Sequence, residues 1–214
     1  MKYKVTFLLD KKNIWIEKYL KNNNFKLNNK YFFKISKNPH KITKQDLVFL
    51  LSYTKILSEE FIKKNKLVLI VHPSKLPKDK GFAPVQNQIL KNKNKIYVSL
   101  IKADKKVDCG PIYLTDFFTL AETDLSDEIR LKQGEAVLKI IKKFLVKYPK
   151  VKCVDQTVGG NFNKRRKPAD NELNINKSIK SQFNLLRICD NEQYPSFFNY
   201  KKHKYIIKIY KENS

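Results

Sequence analysis

The run Leu67-Val68-Leu69-Ile70-Val71 passes directly into His72-Pro73-Ser74-Lys75-Leu76-Pro77-Lys78-Asp79-Lys80-Gly81, and these two stretches decide the fold. Residues 67–71 are apolar without alternation, which is the habit of a strand buried on both faces in a parallel sheet. The apolar run stops at His72, and two prolines and a glycine then punctuate a basic loop. A loop leaving the carboxyl end of a central strand lies where open α/β sheets bind ligands. Pro84 opens a helix over 84–90, since proline suits the first helical turn. Residues 96–100 alternate as a strand. Lys106-Val107-Asp108-Cys109-Gly110-Pro111 makes a second turn before a strand over 112–114. His72 and Asp108, on two separate turns, are the pair in this span with the look of chemistry.

Working outward, residues 4–9 form a short apolar run ended by Asp10, a second buried strand. Asp10-Lys11-Lys12-Asn13 leads into a helix with apolar positions Ile14, Ile16, Tyr19 and Leu20. No glycine follows the strand, so a dinucleotide site of the G-x-G-x-x-G type is excluded. Residues 22–29 read as a surface loop, 31–35 as a strand, and 46–53 as a strand with a polar end. Ser58-Glu59-Glu60 starts a short helix, with its acidic residues where the helix dipole favours them.

Downstream, Ser126-Asp127-Glu128 reads as an N-cap and acidic first turn. The helix that follows places Val137, Ile140, Ile141, Phe144, Leu145 and Tyr148 on one face, and Pro149 stops it. Gly159-Gly160 opens a polar, basic loop to residue 174 centred on Lys164-Arg165-Arg166-Lys167. A helix over 177–189 and a hairpin of 197–200 with 205–209 end the chain. Alternating strands and helices predict an α/β fold with a mostly parallel, twisted sheet, flanking helices and a small C-terminal hairpin. Residues 1–155 would form the main α/β body, and 156–214 a loop, helix and hairpin completing the same domain.

The 214 residues are 42% hydrophobic, with 14 Phe and 11 Tyr, enough for a real core. No run of about 18 apolar residues and no leader pattern after Met1 is present, so a soluble, cytoplasmic protein is expected. Cys109, Cys153 and Cys189 share no metal spacing, and no metal is expected. The net charge is +25, from 45 Lys and Arg against 20 Asp and Glu. Such a field attracts anions. The lysines are spread along the chain, however, and neither clustered stacking aromatics nor a nucleic-acid-binding motif accompanies them. The charge therefore reads as compositional, and the expected partner is neither a nucleic acid nor a membrane.

The pattern His72-Pro73-Ser74-x-Leu76-Pro77-x-x-x-Gly81-x-x-Pro84 resembles the H-P-S-L-L-P-x-x-R-G-x-x-P motif of the folate-dependent formyltransferases. Val107-Asp108-x-Gly110-x-Ile112 resembles their D-x-G-x-I turn. Leu51-Ser52-Tyr53-x-x-Ile56-Leu57 and Arg165-Arg166-x-Pro168-x-Asp170-x-x-Leu173 are similar to segments of the sugar-modifying members. The resemblance spans about residues 46–200. It implies a Rossmann-like formyltransferase fold and transfer of a formyl group from 10-formyltetrahydrofolate to a primary amine.

On that resemblance His72 is the general base or the donor to the oxyanion, and Asp108 orients it. Leu76, Pro77, Lys78, Lys80, Gly81 and Asp104 meet the folate, with Pro77 and Gly81 also shaping the loop. Ser52, Tyr53, Gln86, Arg165 and Arg166 face the acceptor. The family's Asn two residues before the His is Ile70 here, and its Arg near position 80 is Lys80. The resemblance to the sugar-modifying members implies a nucleotide-linked amino sugar as acceptor, on the way to surface glycans. A homodimer is a candidate assembly. A methionyl-tRNA acceptor, a formyltransferase-like chain without activity and, less favoured, a basic nucleic-acid-binding protein are the alternatives; the first is disfavoured because little chain follows the Arg165-Arg166 loop.

Overall fold

The structure is a computed structural model that describes residues 2–11, 13–22, 25 and 29–212. The loop expected over 22–29 lies largely outside the described residues, as does the side chain of Ile14. The elements in order are β1 (Tyr3–Leu9), α1 (Ile14–Asn22), β2 (Tyr31–Ser36), β3 (Leu47–Leu51), α2 (Glu59–Lys63), β4 (Val68–His72), β5 (Lys80–Gly81), α3 (Pro84–Leu90), β6 (Lys95–Lys102), β7 (Ile112–Thr119), α4 (Ser126–Lys147), β8 (Phe162–Asn163), α5 (Ile179–Ile188), β9 (Ser196–Tyr200) and β10 (His203–Ile207).

Six strands form one sheet in the order β2-β1-β3-β4-β6-β7. The pairs among β2, β1, β3 and β4 are parallel, whereas β6 runs antiparallel to both β4 and β7. The sheet is thus mostly parallel with an antiparallel end. β6 follows β4 after a 22-residue connection that holds the basic loop and α3, and it enters the sheet running against β4.

β4 is interior, as its apolar run demands, with Leu69 fully buried and Val71 6% exposed. On one face of the sheet, Val5, Phe7, Leu9, Phe49, Leu69 and Val71 meet Val137, Ile140, Ile141, Phe144, Leu145 and Tyr148 of the long helix region, with Ile16 and Leu20 of α1. On the other face Leu8, Val48, Leu50 and Val68 pack with Phe61 of α2, Ile42 and Ala103. A third cluster joins Val85 and Ile89 of α3 to Ile188 of α5.

Three local readings change. α4 begins at Ser126 itself, so Leu125 occupies the N-cap position and its N–H donates to the Glu128 carboxylate at 2.8 Å. The acidic side chain reaches back to cap, where the serine was expected to. β7 runs on through Thr119, beyond the three residues expected, because it pairs with β6 out to Lys95 opposite Thr119; Asp116 on it meets Lys139 and Lys143 of α4 at 3.3 and 2.7 Å. The hairpin turns at Lys201-Lys202, both with positive φ of 45° and 66°, and Phe198 stacks on Tyr205 across it. Among the described residues no helix is long and apolar enough to cross a membrane. Among them, too, no group of three or more His, Cys, Asp or Glu is placed to hold a metal ion.

Candidate active site

β4 delivers His72 to the carboxyl edge of the sheet. Side chains alternate along a strand, so His72 shares its face with Ile70 and Val68. Both belong to the second core, and His72 is the polar end of that apolar row. The residue is 6% exposed. Its Nε2 lies 2.9 Å from the backbone oxygen of Asp79. A carbonyl can only accept, so Nε2 carries the proton of that bond. Its Nδ1 faces Asp108 Oδ1 at 3.5 Å.

Asp108 is also 6% exposed, and its other oxygen accepts the N–H of Gly81 at 2.8 Å. The carboxylate thus ties the second turn to the basic loop. Asp108 sits at φ 53°, a left-handed conformation that Asp tolerates better than most residues. Gln156 braces this turn, its Nε2 donating to the carbonyls of Asp108 and Gly110 at 2.9 and 2.8 Å. Gln156 Oε1 is buried with no hydrogen-bond partner among the described residues. A Cβ on Gly110 would fall 1.8 Å from the Lys102 oxygen, so only glycine lets this turn lie against β6.

The basic loop is held from both sides. Ser74 Oγ donates to the Lys78 carbonyl at 2.8 Å, and Ser99 of β6 donates to the Ser74 carbonyl at 2.7 Å. Across from it, residues 161–163 form a strap. β8 pairs in parallel with β5, and the N–H groups of Lys80 and Phe82 donate to the carbonyls of Asn161 and Asn163, each at 3.0 Å. A Cβ on Gly160 would fall 1.8 Å from the Pro77 oxygen, which is how closely the two segments run.

Asp79, 4% exposed and at φ 55°, is the knot between them. Its N–H donates to Asn161 Oδ1 at 2.9 Å, while its Oδ1 accepts from Asn161 Nδ2 at 3.0 Å, Asn163 Nδ2 at 3.5 Å and Lys91 at 2.9 Å. Burial by itself would raise the Asp79 pKa. The Lys91 ammonium and the Asn161 amide outweigh burial and hold it below the ordinary carboxyl value.

The remaining expected positions divide into two groups. Leu76 is buried, 6% exposed, beneath the loop. Pro77 abuts Gly160. Lys78 is exposed, and Lys80 reaches the Gly159 carbonyl at 3.3 Å and Cys109 Sγ at 3.5 Å. Ser52, at φ 50°, ends β3 at the same sheet edge and accepts from Asn13 Nδ2 at its carbonyl. Tyr53 is half-buried against the second core, and burial, with Asp10 nearby, pushes its hydroxyl pKa up. The Arg165 guanidinium lies 4.4 Å from the Phe82 ring centre and donates to the Thr54 carbonyl at 3.2 Å. It therefore bridges the basic loop and the segment after β3.

Two expected residues are employed elsewhere. Arg166 spends one amino group on the Asp170 carbonyl and Asn171 Oδ1, both at 2.8 Å. Asp104 is exposed and accepts the Lys106 N–H at 3.2 Å. Gln86 is half-buried on α3. Sequence reasoning passed over Asp79, Asn161 and Gln156. Asp in a turn position is the available signal for the first, because short polar side chains accept positive φ. Nothing local signals the other two.

The arrangement is a buried histidine beside a carboxylate, under a loop that carries Lys78 and Lys80.

Comparison with known proteins follows the same line. A profile of the family described as Formyl transferase matches residues 5–147. The bifunctional polymyxin resistance protein ArnA of Wigglesworthia glossinidia brevipalpis is 30% identical over 170 residues, covering 77% of this chain and 26% of that protein. Among solved structures, the methionyl-tRNA formyltransferase from Clostridium thermocellum superposes with a TM-score of 0.77 at 22% identity, over 94% of this chain and 90% of that one. A sugar N-formyltransferase from Shewanella sp FDAARGOS_354 gives a TM-score of 0.71 at 17% identity, over 99% of both chains. The chain spans between 26% and 58% of the length of these curated relatives and others like them.

Proposed function

We propose, on the premise that this chain belongs to the formyl transferase family, that it moves a formyl group from 10-formyltetrahydrofolate to the primary amine of a nucleotide-linked amino sugar. The observation that carries the reading is the pairing of His72 with Asp108 at 3.5 Å beneath the basic loop, which Arg165 links to the segment after β3. The donor supplies an activated formyl carbon: a C–N bond to the acceptor forms, the C–N bond to folate N10 breaks, and negative charge develops on the formyl oxygen. His72 takes the proton the amine must lose, the Asp108 carboxylate offsets the charge the ring gains, and that proton passes to folate N10 as its C–N bond breaks. Lys78 and Lys80 anchor the carboxylate end of the folate. Arg165, already stacked on Phe82, presents its remaining donors to a phosphate. Ile70 offers no hydrogen bond to the formyl oxygen, so that duty falls to a backbone N–H or to the His72 ring.

The test is a formylation assay with 10-formyltetrahydrofolate and a panel of nucleotide-linked amino sugars, read as gain of one formyl group by mass spectrometry. Turnover of at least one such sugar is expected, and none across the panel would overturn the acceptor class. A second reading, a methionyl-tRNA acceptor, is supported by the likeness to methionyl-tRNA formyltransferases such as that of Pelagibacter ubique, 26% identical over 185 residues. Charged initiator tRNA in the same assay separates the two.

A further inference from the structure

The family pattern leaves Asp79 unspecified, and its buried network has no part in the transfer chemistry above. We propose that Asp79 and Asn161 are positioning residues that fix the tautomer and orientation of His72, leaving Nδ1 as the nitrogen that exchanges the proton. This rests on the transfer reading only for the role of His72.

Nε2 donates to the Asp79 carbonyl at 2.9 Å, whereas Nδ1 stands at 3.5 Å from Asp108, room for a proton to arrive next to a carboxylate. In a neutral imidazole a donor on one nitrogen leaves the lone pair on the other, so the partner of Nε2 decides which nitrogen is basic. The Asp79 carbonyl can hold that role only if its peptide is fixed. Its φ of 55° is a conformation a free loop visits rarely. Three side chains hold it there. Asn161 grips Asp79 twice, accepting from its N–H at 2.9 Å and donating to its carboxylate at 3.0 Å, while Asn163 and Lys91 take the same oxygen. The carbonyl of a residue so clamped cannot swing away from the ring. The residue that orients His72 is thus itself oriented from the strap, 82 positions along the chain.

The variants are chosen to separate backbone freedom from the anchor. Asp79→Gly keeps the left-handed conformation but removes the carboxylate, and Asn161→Ala removes the grip from the other side. Asp79→Asn keeps an oxygen for Asn161 and an Asn at positive φ. Nitrogen-15 NMR of the imidazole in the free protein should show His72 in the parent as the single Nε2–H tautomer. Asp79→Gly and Asn161→Ala should turn it into an exchanging mixture and lower kcat about ten- to a hundredfold, the scale of losing an orienting outer partner. KM for the acceptor should move less than about twofold, since neither residue is assigned to the acceptor, and Asp79→Asn should recover most of kcat. A parent ring with the proton on Nδ1 would overturn the proposal, as would parent-like spectra and kcat in both disrupted variants. If the parent formylates no acceptor at all, the transfer reading falls by itself, and the NMR arm still decides the tautomer.

Discussion

Ile70 and His72 stand two positions apart on one face of β4, so a single substitution can change what the site offers without moving the strand. Ile70→Asn places a carboxamide beside His72, where the resemblance puts the family's Asn. Its side chain is only partly buried against the second core, so the fold should survive, and kcat should rise as a donor is added near the developing charge. His72→Asn and Asp108→Asn should each lower kcat by about two to four powers of ten, the scale of a positioned proton-transfer group, with folate affinity retained in a binding titration. Asp79 has a second, measurable consequence. Its pKa is depressed in the folded protein, so its contribution to stability is present above the ordinary value of 3.8 and is lost as pH falls through the folded value. Melting temperatures of the parent and Asp79→Asn should therefore differ near neutral pH, and the gap should close on acidification below about pH 3.8. A gap that stays constant to low pH would remove Asp79 from the list of stabilising carboxylates. The pair of His72 and Asp108 was legible because each sits in a short local pattern. The Asp79–Asn161 clamp was not, because its halves lie in unrelated segments and only the folded chain brings them together.

Among the elements, the apolar runs were easiest to read. β4 had no polar face to offer water, so its interior position followed from composition, and the helix over α4 followed from its stripe of Ile140, Ile141 and Phe144. Phe144→Ala should cost about 3–5 kcal/mol in chemical denaturation, because the ring is fully buried and packs edge-on against Phe49 and Tyr113. Strand direction was not legible, since a strand's side chains say which face is buried and not which way it runs. The strap was equally hidden: β8 is two residues long and polar on either side. Its glycines carry a prediction of their own. Gly160 has φ 92° and meets the Pro77 carbonyl. Gly160→Ala should push the strap off the basic loop and lower kcat by at least tenfold, while the melting temperature, set by the distant sheet, shifts by only a few degrees. Parent-like kcat in Gly160→Ala would refute this.

At the scale of the molecule, the excess of lysine is spread along the whole sequence. Nucleic-acid binding should accordingly be non-specific, weaker than about 10⁻⁶ M at physiological salt, and should fall steeply as salt rises. A salt-resistant nanomolar complex with a defined RNA would instead make the charge functional. The strap also bears on how the protein comes into being. Every strand of the six-stranded sheet lies before residue 120, so a nascent chain can close its sheet early. Residues 156–163, which brace Asp108 and clamp Asp79, leave the ribosome some 40 residues later. The edge that holds His72 and Asp108 is therefore fastened only after the sheet can form, and a polypeptide interrupted before residue 156 would own the framework without the clamp.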